Sequence, residues 1–448
     1  MNAGALAHKR FLAMSAILLG VAVAILDASM VNTALPRIAA QLGIPSADSI
    51  FVVSAYQVSM VASLLLFSAL GDIFGYKVIY IIGTIAFSIS ALACSAVFSF
   101  DYLVLIRAIQ GLGGGAMAGV NIAIMRGMYP AHLFGRAVGT SALVVALSFC
   151  AGPLISSLIL SYGSWSLIFV LNFLIGATAC LLATIFLPSR PHKNLSCVPW
   201  MDLLVIMAGL FLIAFSVSAL GVSRYGKTRF IISATTCCLG IGIILWNPGS
   251  FKKFLPNPYS KKIFIVASFI TLLAYMAQGA TLISLPFFFS AASVGRLSGT
   301  VSAMVFWSLF SGFFSYFSGR ASDVLNSAHL LVMGLFIMSI GIAFLAAVGA
   351  IQPMWLASLC AAMAGAGFGI FQTPNLKLLL SYSSAQESGR SNGVLATVRL
   401  LGQMIGGVIA AAFLSLNSQQ GARWALIASS LCAFLACGLA NLQRETKP

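Results

Sequence analysis

The chain is 448 residues long, 60% hydrophobic and only 7% charged. Soluble domains carry about 25% charged residues, so a water-soluble surface is excluded and lipid is the expected solvent. The net charge of +16 comes from 24 Lys and Arg against 8 Asp and Glu. These basic residues sit in short gaps between apolar runs, which fits a membrane topology signal and not a nucleic-acid surface.

A spanning helix needs roughly 20 apolar residues. The N-terminal "HKR" (His8–Arg10) leads straight into an apolar run without a small-residue cleavage site, so the first run is expected to be an uncleaved span. Six spans are predicted near 11–35, 50–70, 78–98, 102–125, 136–160 and 165–187. A polar break, "PSRPHKNLSCVPW" (Pro188–Trp200), precedes two more near 201–221 and 229–247. A second break, "NPGSFKKFLPNPYSKK" (Asn247–Lys262), precedes six near 263–290, 297–318, 329–350, 353–373, 390–415 and 421–440. The expected class is an all-α integral membrane protein of 14 transmembrane helices. Residues 1–188 and 263–448 each form a six-helix bundle, and 189–262 form a linker with two extra helices.

Lys and Arg set the orientation. With the N-terminus inside, most of them fall in cytoplasmic segments. The outer segments hold Arg37, Arg224, Lys227, Arg229, Arg296 and Arg423, and Arg107 and Arg399 fall inside spans. Both termini are therefore expected in the cytoplasm. An internal echo supports two related halves. "FSALGDIFGYK" (Phe67–Lys77) and "FSGRASDVLNS" (Phe317–Ser327) each follow the second span of a half, and Asp72 aligns with Asp323. Such repeats are common in transporters.

An ionisable group inside a membrane is a functional candidate. Of the eight acids only Asp27 lies well inside a span. Counting back from Pro36, it is roughly 13 Å from the outer end of its helix, and Arg107 is roughly 9 Å in from the same side. The two can pair if the first and fourth spans are neighbours. Arg399 lies roughly 14 Å in from the cytoplasm. Burial favours a neutral acid and a nearby guanidinium favours a carboxylate. An acid that changes surroundings between two conformations can therefore load and release a proton. The alternative is a static pair that fixes helix packing.

The polar side chains Asn32, Gln110, Asn121, Tyr275, Gln278, Asn375, Arg399 and Gln403 are candidates to line a substrate cavity. "RAIQGLGGGAMAG" (Arg107–Gly119) lacks the Lys-Ser/Thr of a phosphate loop and reads as close helix packing. Gly152 and Pro153 lie mid-helix, where proline removes a backbone bond. The nine cysteines form no CxxC pair or Cys/His cluster, so no disulfide framework or metal site is expected. No cofactor is expected either. An enzyme would need a clustered nucleophile, metal or acid pair, and the sequence offers none.

"LDASMVNTALPRIAAQL" (Leu26–Leu42) resembles the first-helix signature of 14-helix drug:proton antiporters of the major facilitator superfamily. "LIRAIQGLGGG" (Leu105–Gly115) is similar to that superfamily's fourth-helix motif, and "AGP" (Ala151–Pro153) to the core of the fifth-helix antiporter motif. "GFGIFQTPN" (Gly367–Asn375) and "GRSNGVLATVRLLGQMIGG" (Gly389–Gly407) resemble the same group's late helices. The resemblance implies a major facilitator fold, proton coupling through Asp27 and Arg107, and a gating loop at Asp72, Gly75 and Lys77 with Arg320 and Asp323 as its counterparts. It also implies an antiporter motif at Gly152 and Pro153. The gating loop departs from the family pattern at Ser68, Gly71, Ile73 and Tyr76, and Ser148, Ser156 and Ser157 replace glycines around the antiporter motif.

Together these readings predict a proton-coupled exporter of small amphipathic or cationic compounds. Its partners are a small-molecule substrate, protons and the bilayer, in a bacterial inner membrane. The alternatives are a selective transporter of one physiological solute (a metabolite, siderophore or peptide) and a non-transporting sensor.

Overall fold

The computed structural model describes residues 3–129, 131–188, 200–221, 228–246, 262–290, 296–348, 354–381, 388–417 and 420–445. Among them are fourteen helices. They are α1 (Ala3–Leu42), α2 (Ser46–Phe74), α3 (Tyr76–Ser95), α4 (Phe100–Met128), α5 (Ala131–Tyr162), α6 (Ser166–Phe186), α7 (Trp200–Gly221), α8 (Thr228–Trp246), α9 (Lys262–Ser290), α10 (Arg296–Val324), α11 (Ser327–Val348), α12 (Met354–Ser381), α13 (Ser388–Leu416) and α14 (Gly421–Glu445). In hydrocarbon every backbone N–H and C=O must be bonded within its own segment, which leaves the helix as the form for these apolar runs. Twelve helices, α1–α6 and α9–α14, are long and apolar enough to cross a membrane. The inserted pair is also helical, with shorter apolar stretches at Leu204–Leu220 and Ile231–Ile243. The "RYGKTR" loop expected outside and both polar breaks lie largely outside the described residues.

One boundary differs from expectation. α1 does not close at Pro36 but runs on to Leu42, with the proline inside it. The terminator is Gly43, whose φ of 65° is the left-handed value that ends helices. The apolar part of α1, Arg10–Leu42, holds 33 residues. At 1.5 Å per residue that is roughly 50 Å, well beyond a bilayer core of about 30 Å. Asp27 therefore lies near the middle of its span, deeper than a count from Pro36 suggests.

The chain forms two compact units. The first holds Met1–Val31, Val52–Phe215 and Thr236–Asn247; the second holds Asn32–Phe51, Ser216–Thr235 and Pro248–Pro448. In the first unit, the glycine run of α4 brings backbones together. A Cβ on Gly113 would lie 2.6 Å from the Phe87 nitrogen of α3, and one on Gly111 would strike the Tyr56 carbonyl of α2. This is the close packing expected of the run. Tyr80 of α3 donates to the Ala16 carbonyl of α1 at 3.0 Å. The outer stripe of α3 (Ile82, Ile85, Ile89, Leu92) is exposed, as a lipid-facing surface should be.

The second unit repeats this packing. Gly365 and Gly369 of α12 meet the Trp307 and Ser311 carbonyls of α10, while Gly367 meets Gly334 and Met338 of α11. The shift that carries Asp72 onto Asp323 also carries Tyr56 onto Trp307 and Gly83 onto Gly334. The echo in the sequence is thus an echo in contacts.

Candidate functional site

Four helices of the first unit converge on Asp27. The residue is fully buried on α1, and Arg107 of α4 is equally buried. Arg107 donates from Nη1 to Asp27 Oδ2 at 2.6 Å and to Gln110 Oε1 at 2.8 Å. Its Nε donates to the Val52 carbonyl of α2 at 3.3 Å. The guanidinium carbon lies 4.6 Å from the Tyr56 ring centroid and 5.7 Å from that of Phe169 on α6. The other carboxylate oxygen, Asp27 Oδ1, accepts from Asn172 Nδ2 of α6 at 2.8 Å and from Gln110 Nε2 at 3.4 Å. Helical spacing explains the convergence. Arg107 and Gln110 are three apart on α4, and Phe169 and Asn172 are three apart on α6, so each pair shares a face.

The expected Asp27–Arg107 pair is therefore present, and α1 and α4 are neighbours at this level. Gln110, expected in a cavity, is a member of the pair's network instead. The sequence reading missed Asn172, although it is the one amide in the apolar run "SLIFVLNFLIGATACLLATIF" (Ser166–Phe186). It also missed the two rings on the guanidinium, which look like any other apolar residue in a spanning run. All three donors suit an ionised carboxylate.

α5 is tied to the helix that carries the acid. Pro153 has no N–H to bond the carbonyl four residues back, that of Phe149. Ser29 of α1, two residues from Asp27, donates to that carbonyl at 3.1 Å. Ser156 of α5 donates to the Met30 carbonyl at 3.1 Å, and Gly152 packs directly on the Ser29 side chain. Ser156 stands where the family motif has glycine, yet it strengthens the α1–α5 contact here.

Among the residues expected to form a gating loop, Gly75 precedes α3 with a φ of 92°. Lys77 Nζ donates to the Thr184 carbonyl at 2.9 Å, satisfying one of the open carbonyls at the end of α6. Arg320 lies over the Tyr316 ring at 4.5 Å. The side chains of Asp72 and Asp323 lie outside the described residues.

In the second unit the cavity candidates of α9 and α13 meet in two rungs. Arg399 stacks over Tyr275 at 5.4 Å, and Gln403 Nε2 donates to Gln278 Oε1 at 3.2 Å. Asn375 of α12 donates to Thr271 at 2.8 Å. Asn32 and Asn121 each keep a buried amide oxygen without a partner, and they belong to different units.

The family model described as Major Facilitator Superfamily matches residues 17–202 and 267–448. The chain belongs to that superfamily. This major facilitator protein is 34% identical over 449 residues to the uncharacterized transporter YebQ of Escherichia coli K12, covering 98% of this chain and 96% of that one. It is 27% identical over 405 residues to the riboflavin transporter RibZ of Clostridioides difficile, covering 89% and 87%. Among solved structures, the nucleoside transporter NupG superposes with a TM-score of 0.69 at 13% identity, covering 96% and 99%; that likeness shows the fold. The protein is accordingly a multi-pass membrane transporter and not an enzyme.

Proposed function

We propose that this major facilitator protein is a proton-coupled exporter of small amphipathic or cationic compounds that works by alternating access in a bacterial inner membrane, with both termini cytoplasmic. Residues 1–188 and 263–448 act as the two moving bundles, joined through the helix pair of 189–262. Asp27 carries the proton and Arg107 holds the carboxylate between turnovers. Asp72, Gly75, Lys77, Arg320 and Asp323 serve the gate, and Gly152 and Pro153 the α1–α5 contact. The observation that carries this reading is the buried Asp27–Arg107 pair with its two amide donors. A carboxylate at mid-span is expensive to keep in lipid, and a membrane transporter has a use for one that can be opened and closed.

The test is efflux from sealed vesicles under an imposed pH gradient, using fluorescent amphipaths and riboflavin as probes. Asp27→Asn is expected to abolish accumulation against a gradient while leaving downhill flux. If Asp27→Asn still concentrates a probe, the proton role is wrong. A second reading, selective transport of one physiological solute, draws support from the resemblance to a riboflavin transporter. Competition between chemically unrelated probes supports broad export, whereas strict selectivity supports the second reading.

A further inference from the structure

We propose that Arg399, with Gln278 and Gln403, forms a binding site for the oxyanion group of an aromatic solute. The inference rests on the transporter reading and selects, within its amphipathic compounds and against its cationic ones, aromatic carboxylates, sulfonates and phosphates. It starts from a contrast between the two intramembrane arginines. Arg107 is fully buried and faces a carboxylate at 2.6 Å. Arg399 also lies inside a span, Val394–Leu416, yet no described carboxylate pairs with it. Its Nε is buried without a hydrogen-bond partner, and among the described residues its guanidinium lies over the Tyr275 ring. A guanidinium inside a membrane is costly unless it is matched. Its planar fork of donors matches an oxyanion in two-point contact, which a ring face does not replace.

The surroundings complete the site. Gln403 is one helical turn beyond Arg399 on α13, and Gln278 faces it from α9 at 3.2 Å. Both amides can turn a donor toward a bound oxyanion. On the other side Tyr275 meets Phe368 edge-on with centroids 5.2 Å apart, and Trp307 lies 6.4 Å beyond Phe368. These rings give an aromatic wall beside the charge, suited to a flat apolar body. Arg399 itself is only partly buried, unlike the fully buried Arg107. A cation would meet like charge here with no described acid paired to offset it.

The test measures binding to the purified protein in phosphatidylcholine nanodiscs by calorimetry, without a pH gradient. The probes are naphthalene-2-carboxylate, -sulfonate and phosphate, the neutral methyl ester, and a naphthyl trimethylammonium. The expected result is at least tenfold tighter binding of the oxyanions than of the ester or the cation. Arg399→Gln should bring oxyanion and ester to parity, and Arg399→Lys should keep part of the preference. Binding is measured without a pH gradient and proton-driven accumulation is measured in the vesicle assay, so failure of proton coupling and failure of this site are read separately. Equal oxyanion affinity in wild type and Arg399→Gln overturns the proposal, as does absence of oxyanion binding. Loss of oxyanion binding when phosphatidylglycerol replaces phosphatidylcholine also overturns it, because a lipid headgroup is then the natural occupant.

Discussion

The contact between Ser29 and the Phe149 carbonyl makes a quantitative prediction about the proline of α5. Pro153 leaves that carbonyl without its helical donor, and Ser29, itself 2% exposed, supplies one at 3.1 Å. Ser29→Ala removes the donor and leaves a part-buried acceptor unmet. Hydrogen bonds of this kind contribute roughly 0.6 kcal/mol between membrane helices, with the strongest near 1.7. An orphaned acceptor raises the loss toward about 1–3 kcal/mol. Pro153→Ala restores an N–H to the helix, which can bond the same carbonyl. In that background Ser29→Ala should be nearly neutral. The double-mutant cycle is thus expected to give a coupling of about 1 kcal/mol, roughly a fivefold change in the unfolding equilibrium. Denaturant unfolding of the four purified proteins in mixed micelles would measure it. Additive effects within about 0.3 kcal/mol, the usual level for independent sites, would show that Ser29 does not substitute for the missing N–H.

Asn172→Leu should destabilise the protein by about 1.5–3 kcal/mol, the value of a hydrogen bond to a charged group, because Asp27 Oδ1 then keeps only Gln110 at 3.4 Å. The effect should shrink in an Asp27→Asn background, and equal losses in both backgrounds would detach Asn172 from the carboxylate. Gly113→Val should prevent accumulation of folded protein, since even a Cβ there lies 2.6 Å from the Phe87 nitrogen. Gly438→Ala on α14 meets nothing within 4 Å and should be neutral or stabilise by up to about 1 kcal/mol; detergent-solubilised yield and melting temperature distinguish the two glycines.

Helix number and type are readable from this sequence because lipid imposes one rule on every span. Apolar length and internally bonded backbone are properties of a single segment, so hydropathy reports them without knowledge of neighbours. Asp27 and Arg107 are readable for a related reason: a charge in an apolar run is too costly to be incidental. Helix ends are less legible. Pro36 looks like a terminator, but a proline can sit inside a helix when its surroundings tolerate the lost bond, and here Gly43 ends α1. Partnerships are the least legible. Nothing in the spacing of α6 says that Asn172 faces Asp27, because an amide is cheap enough in a span to serve as ordinary helix glue. The same holds for Gln278 and Gln403, whose meeting depends on how α9 and α13 pack. Backbone contacts such as that of Gly279 with Gln403 decide it.

The internal repeat sharpens what is special about each half. The shift that aligns Asp72 with Asp323 places Asp27 on Gln278. The glycine contacts recur in the second half, with that shift carrying α2 and α3 onto α10 and α11 and one three residues longer carrying α4 onto α12, since helix approach tolerates little change in side-chain volume. The polar chemistry does not survive it. One half keeps an acid and matches it to an arginine, two amides and two rings within a single buried network. The other has an amide at the acid's position and an arginine without a described counter-ion. A scaffold that repeats while its charges diverge is what a division of labour requires: a charge satisfied from within suits a coupling ion that comes and goes, and a charge left unsatisfied suits a solute that brings the missing partner.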